Sequence, residues 1–327
     1  MFDIALQIPN FTYPGVPREE LFDRVSAIAQ TAEESGFDAV LVMDHFYQLP
    51  LLGPPTNEMF EAYTLLAAIA ARTERVMLGT LVTGVTYRNP AILAKIVSTL
   101  DVISHGRALL GIGAAWFDVE HEALGVDFPP VGQRMQMLEE AIEICRAMFR
   151  DERPTFKGRH YSTVEAINSP APLRPGGPPV MVGGQGEKVT FRIAAQHADL
   201  LNMTASFDEI PRKLSALGEH LDRIGRERSS IHVSPLGSLV LGESAADADR
   251  KRDEFLASRG IDWATADEAT RALVGARILM GDEAAVSERI GELRAMGIDG
   301  LAVNMPADGW DLDAVRYAGK VLRSAMS

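Results

Sequence analysis

Basic character is scarce in this chain. Its 327 residues carry 32 Lys and Arg against 45 Asp and Glu, a formal net charge of −13. Proteins that grip nucleic acid without sequence preference need a basic footprint, so that class is excluded. Cysteine is nearly absent. The single Cys145 lies in "LEEAIEICRAMF" on the apolar side of a helix, so no intrachain disulfide and no cysteine metal cluster can form. The seven histidines are scattered without metal-ligand spacing, and no metal is expected. No apolar run reaches the length of a membrane span. The first residues, "MFDIALQIPNF", lack a basic leader and carry an early Asp3, so a signal peptide is not expected and the cytoplasm is the expected compartment. Three catalytic signatures are missing as well: a Gly-x-Ser-x-Gly elbow, a Gly-Lys-Ser/Thr after "GIGA", and a glycine fingerprint after the first apolar strand, which runs into "PNFTYPG" instead.

What is present is a rhythm. Short apolar strands alternate with amphipathic helices: "DIALQI", then a helix over 18–36 with Leu21, Val25, Ile28 and Ala32 at helical spacing, then "DAVLVM", a helix over 59–73, "RVMLGTLV", a helix over 89–104, "GRALLGIG" and a helix over 132–150. The second half is less regular. A Pro- and Gly-rich excursion (151–179) precedes "PVMVGG". Short helices and strands then lead to "IHVSPLGSLVLG", surplus helix over 243–280, a helix over 282–297, "IDGLAVNM" and a closing helix over 312–326. The helix over 207–225 is expected to be interrupted near Pro211. Eight strand–helix units without a composition shift predict one α/β domain spanning 1–327, a parallel (β/α)8 TIM barrel, with an open doubly wound sheet as the alternative.

In such a barrel chemistry gathers where strands end. "DAVLVMDHF" ends a doubly buried strand on a carboxylate and an imidazole, Asp44 and His45. Asp44 alone reads as a turn or cap residue, and His45 alone is as readily structural as functional, though its near-neutral titration suits proton transfer. "TGVTYRNP", "GAAWFDVEH", "GGQGEK" and "NMTASF" follow the next strands. Gly183, Gly184 and Gly186 could let backbone N–H groups approach an anion at the start of a helix near Glu187, with Lys188 adding charge; turn-making is the plainer reading. Trp116 is either a loop anchor or the wall of a ring site. "QLPLLGPPTN" (48–57) is a candidate lid segment.

The ordered set "GFDAVLVMDHF", "RVMLGTLVTGVTYRNPAILAKIVSTLDVISHGRALLGIGAAW", "EHEALGVDFPP", "QRMQMLEEAIEI" and "VMVGGQGEK…IAAQHADLLN" resembles the luciferase-like monooxygenase superfamily, and within it the coenzyme F420-dependent oxidoreductases. The resemblance implies a TIM barrel with an extra segment between strands seven and eight. It implies a deazaflavin (or FMN) in the barrel mouth, a homodimer, a small organic substrate and a separate enzyme that reduces the cofactor. On this reading Asp44 and His45 flank the ring and His45 handles a proton. A non-prolyl cis peptide at Leu81–Val82, with Thr83, backs the ring. Gly113, Ala114, Ala115 and Trp116 lie beside it, the phosphate rests on the loop of Gly183, Gly184, Gln185 and Gly186, and Thr204 also binds the cofactor. The sugar-phosphate dehydrogenase branch carries a glutamate where this chain has Trp116, and a lysine shortly after the strand-six threonine, where this chain has Ala205, Ser206 and Phe207. Glucose-6-phosphate is therefore not the expected substrate. A mouth of Phe46, Trp116, Phe117 and Phe207 suits a hydrophobic or aromatic carbonyl, alkene or imine, reduced by hydride transfer. An FMN-dependent monooxygenase and a non-catalytic flavin-binding barrel are the alternatives.

Overall fold

A computed structural model describes residues 1–150 and 152–327; residue 151, the first of the excursion, lies outside the described residues. Eight parallel strands close on themselves: β1 (Ile4–Ile8), β2 (Ala39–Val42), β3 (Met77–Thr80), β4 (Ala108–Gly113), β5 (Val180–Gly183), β6 (Leu200–Met203), β7 (His232–Leu241) and β8 (Leu301–Asn304). Closure is made where Ile4 of β1 faces Leu301 of β8. The open doubly wound sheet is thereby excluded. All four residues of β2 are buried, because a barrel strand is covered on both faces. Ala39 and Leu41 turn inward to meet Ala5, Leu109, Met181 and Leu200, while Val40 and Val42 turn outward to the helices.

The helices that cover the barrel are α1 (Leu21–Ser35), α2 (Ala62–Ala70), α3 (Pro90–Ile103), α4 (Val131–Phe149), α5 (Thr190–His197), α6 (Ile210–Arg223), α7 (Glu283–Ala295) and α8 (Leu312–Met326). Pro90 and Pro211 both sit in first turns, where a missing N–H breaks no helical bond. Pro211 therefore starts α6 instead of interrupting it. The surplus over 243–280 resolves into helices Ala245–Ala257 and Glu268–Gly275 and an additional strand, Ile278–Gly281, which pairs with the second half of β7 outside the barrel. The excursion after α4 holds a two-residue hairpin, Phe156–Lys157 with Ser162–Thr163. Among the described residues, no helix is long and apolar enough to cross a membrane, and no group of His, Cys, Asp or Glu is placed to hold a metal ion.

The barrel interior changes character along its axis. Above the apolar layer, the Asn304 amide N–H donates to Gln7 Oε1 (3.1 Å), the Gln7 amide N–H donates to the Leu81 carbonyl (3.2 Å), and the Ser238 hydroxyl donates to Asn304 Oδ1 (2.9 Å). The Asn202 amide donates to Ser234 Oγ (3.1 Å), while its Oδ1 is buried with no partner among the described residues. A polar floor of this kind lies under the C-terminal face, where the strand ends carry their loops.

Candidate active site

Asp44 and His45 leave β2 side by side but point to different partners. Asp44 is almost wholly buried, and Arg88 grips both of its oxygens, at 2.6 and 3.0 Å. The Gly84 N–H also reaches it. Burial pushes the Asp44 carboxyl up, and Arg88 pulls it back. Arg88 stacks over the Tyr63 ring (4.9 Å) and continues to Glu61, which caps the start of α2 by accepting from the Thr64 N–H (2.7 Å). Asp44 thus ties the ends of β2 and β3 together through Arg88. The catalytic part beside His45 that the resemblance implies for Asp44 would have to be played from within this ion pair.

His45 turns toward the loop after β4. That loop carries a short helix, Asp118–Leu124, absent from the sequence reading, and its Glu120 is fully buried. Glu120 Oε1 lies 2.7 Å from His45 Nδ1 and also accepts from the Tyr87 hydroxyl, while Oε2 accepts from the backbone N–H groups of Phe46 (2.8 Å) and Tyr47 (3.3 Å). Burial acts to raise the Glu120 pKa, but the bonds from His45, Tyr87 and Phe46 outweigh it and hold the group below the usual carboxylate range. Trp116 and Phe117 present edges to the imidazole at 5.8 and 5.9 Å. Phe117 is buried, whereas Trp116 is 62% exposed and stands open at the mouth.

Strand β3 breaks after Thr80. The Leu81–Val82 peptide is cis, as expected, and the chain then pairs Thr83 with Ile112. The Val82 side chain lies over Gly113 and Gly183: a Cβ on Gly183 would meet Val82 at 2.7 Å. Glycine is needed at both strand ends for that close approach. Thr83 follows directly after the cis bond. Its hydroxyl is buried against the Tyr63 hydroxyl (2.6 Å) and Thr80 Oγ1 (2.7 Å), so its side chain braces the bulge. The loop after β5 is a glycine turn with Gly184 at φ +146°, a conformation side chains rarely adopt. The helix after it begins at Thr190 rather than near Glu187. Lys188 is exposed beside an outer groove with Arg212, Glu219 and His220. The cation bonded to the turn is instead Lys213, which donates to the Gln185 carbonyl (2.8 Å) and pairs with Glu187 (3.1 Å).

With that geometry in view, comparison with known proteins is decisive for the family. The profile of the luciferase-like monooxygenases matches residues 1–300. The chain belongs to the luciferase-like monooxygenase family. F420-dependent glucose-6-phosphate dehydrogenases are among its relatives: that of Microbacterium testaceum (strain StLB037) is 33% identical over 61% of this chain and 59% of its own length, and that of Kineococcus radiotolerans is 35% identical over 69% and 66%. The chain therefore spans about three fifths of the first of these relatives. Two solved structures share the whole fold at low identity. The coenzyme F420-dependent tetrahydromethanopterin reductase of Methanopyrus kandleri has a TM-score of 0.82 at 19% identity, covering 100% of this chain and 99% of that one. A monooxygenase from Streptomyces bottropensis has a TM-score of 0.82 at 20% identity, covering 99% and 100%.

Within this luciferase-like barrel, His45, Leu81, Val82, Gly113 to Trp116, the Gly183–Gly186 turn and Thr204 all lie at C-terminal strand ends, as the sequence indicated. Phe207 does not join them. It is buried in the outer shell, within reach of Gly237, and its N–H donates to the Ala276 carbonyl (2.9 Å). Glu120, Tyr87 and Arg88 were not assigned from sequence, although all three stand in the quoted loop segments. A carboxylate two residues into an unrecognised helix, and a Tyr-Arg pair before a helix cap, gave no spacing signal of their own.

Proposed function

We propose that this protein is a coenzyme F420-dependent oxidoreductase that moves a hydride between the deazaflavin and a small hydrophobic or aromatic substrate, working as a reductase. The observation that carries the reading is His45, an imidazole at the barrel mouth backed by the fully buried carboxylate of Glu120. F420-dependent relatives over 61% and 69% of the chain support the cofactor. The residues present fit such a group. The glycine turn offers main chain without Cβ atoms, Asn202 Oδ1 is an unpartnered polar atom in the barrel floor, and Trp116 leaves an aromatic face open. Gly183, Gly184, Gln185 and Gly186 would hold the phosphate, Thr204 would also bind the cofactor, and Leu81, Val82, Gly113, Ala114, Ala115 and Trp116 would surround the ring.

When bound, F420 supplies a two-electron hydride carrier with little tendency to activate oxygen. The chain's own tasks are then orientation, exclusion of water by Phe46, Trp116 and Phe117, and one proton at His45. The relatives are named for glucose-6-phosphate, yet Trp116 and the Ala205–Phe207 segment favour an uncharged, apolar substrate here. Replacing Trp116 by Ala should raise KM for an aryl ketone at least several-fold; an unchanged KM removes the support for that substrate class.

Fluorescence titration of the protein with F420 and with FMN tests the cofactor, with His45→Ala in parallel. Tight F420 binding, weak FMN binding, and a His45→Ala protein that binds but does not turn over are the expected results. Preference for FMN together with oxygen uptake would overturn the reading in favour of a flavin monooxygenase, the activity named for one of the two similar structures.

A further inference from the structure

We infer that Glu120 is a positioning residue that fixes the ring tautomer of His45, making Nε2 the atom that exchanges a proton with substrate. The inference rests on the oxidoreductase reading for its chemical meaning, but its geometry stands alone. An ionised carboxylate only accepts hydrogen bonds. Three donors besides the imidazole, the Phe46 and Tyr47 N–H groups and the Tyr87 hydroxyl, bond the two Glu120 oxygens and favour its ionised form, so at 2.7 Å the Nδ1 of His45 must carry a proton. The other ring nitrogen, Nε2, has no partner among the described residues, and the His45 side chain keeps 15% of its surface exposed. Nδ1 is thus committed to the protein interior and Nε2 to the mouth.

The surroundings support this assignment. Besides Glu120, the polar groups around the pair are the Tyr87 hydroxyl, which also donates to Glu120, and the neighbouring Asp44, whose charge Arg88 already balances. His121, next to Glu120 in the chain, is occupied elsewhere, at Thr86 Oγ1 (2.7 Å) and the Phe117 carbonyl (2.7 Å), and stacks on Tyr87. Among the described residues, no second carboxylate contacts the imidazole.

The chemical consequence is a balanced step. In the reducing direction F420, when bound, would supply the hydride to the substrate carbonyl carbon, and His45 would supply the Nε2 proton to its oxygen. The imidazolium becomes imidazole, with Nδ1–H still bonded to Glu120. In the oxidising direction neutral Nε2 takes the hydroxyl proton as the hydride leaves carbon. Either way the substrate must offer a lone-pair atom to Nε2, which favours a carbonyl or imine over an unactivated alkene.

Glu120→Gln is the informative variant. The glutamine carbonyl can stay on the Phe46 and Tyr47 N–H groups, preserving the loop, and this turns the amide –NH2 toward Nδ1. Nδ1 must then accept, and the proton moves to Nε2. Long-range 1H–15N correlation spectra of the protein alone at neutral-to-basic pH should show His45 as Nδ1–H in the wild type and Nε2–H in Glu120→Gln. Loss of correctly placed general acid–base transfer is worth about 10²–10⁴-fold, so reduction of acetophenone by reduced F420 should fall at least about a hundredfold in kcat, with F420 affinity within twofold. Glu120→Asp should recover the wild-type tautomer. A wild-type Nε2–H signal, an unchanged tautomer in Glu120→Gln, or an inverted tautomer with undiminished kcat each overturns the inference. Failure of the wild type to bind F420 would instead overturn the proposed function, while the tautomer spectra still decide the role of Glu120.

Discussion

Removing the carboxylate of Asp44 should destabilise the protein far more than removing that of Glu61, although both bind Arg88. The Asp44 side chain is 1% exposed, that of Arg88 11% and that of Glu61 38%. Breaking a buried ion pair from one side leaves a charge that has already lost its water, at a cost of about 3–5 kcal/mol. Glu61 remains as a partial partner for Arg88, so Asp44→Ala should cost about 3 kcal/mol, the lower end of that range. Glu61→Gln removes a partly exposed partner and should cost at most about 1 kcal/mol. Unfolding entropy of about 2.1 cal/mol/K per residue makes each kcal/mol worth roughly 1.5 °C in a chain of this length, so Asp44→Ala should lower Tm by about 4–5 °C and Glu61→Gln by no more than about 1.5 °C. Urea unfolding followed by circular dichroism should show the same order in midpoint with unchanged slope. The double variant Asp44→Ala with Arg88→Ala should cost less than the sum of the singles, because it leaves no orphaned charge. Equal losses for Asp44→Ala and Glu61→Gln, or strict additivity in the double variant, would refute the reasoning.

Three further outcomes are expected. Glu120 has a folded-state pKa below its unfolded one, so its stabilisation is fully present above the ordinary glutamate value of about 4.3 and is lost as pH falls through the lower folded value. Tm measured against pH should therefore fall less steeply on the acid side in Glu120→Gln than in the wild type, and parallel curves would contradict this. Gly111→Ala places a Cβ 1.9 Å from the Thr80 carbonyl oxygen; because backbone cannot yield cheaply, it should cost about 3 kcal/mol or more, whereas Gly132→Ala, with nothing within 4 Å and a helical backbone, should stabilise by about 0.4–1 kcal/mol, both read from urea midpoints. Glu33 accepts from the backbone N–H groups of Glu74, Arg75 and Val76, so Glu33→Ala should cost about 1–3 kcal/mol by thermal melt, and a loss below about 0.5 kcal/mol would show that water replaces the carboxylate.

The barrel was legible from local chemistry. Short apolar strands and helices with one apolar face are properties of short segments, so their order alone predicted strict β-α alternation and, through it, the C-terminal rim where Asp44, His45, Trp116 and the Gly183–Gly186 turn would meet. The same logic failed where the decisive contact is long-range or its backbone is irregular. The Asp118–Leu124 helix is short and its buried Glu120 looks from sequence like a surface residue; only its meeting with His45, 75 positions earlier, gives it a partner. Asp44 beside His45 shows no partner in the sequence, and only the fold reveals Arg88 from the neighbouring strand end bonding both of its oxygens. Phe207 read as a mouth aromatic because it follows β6, yet the loop bends it under the additional strand. Sequence periodicity determined which segments form strands and helices, because that depends on neighbours a few residues apart; tertiary structure decided which polar groups are paired, because desolvation and hydrogen bonding depend on what other strands bring within about 3 Å.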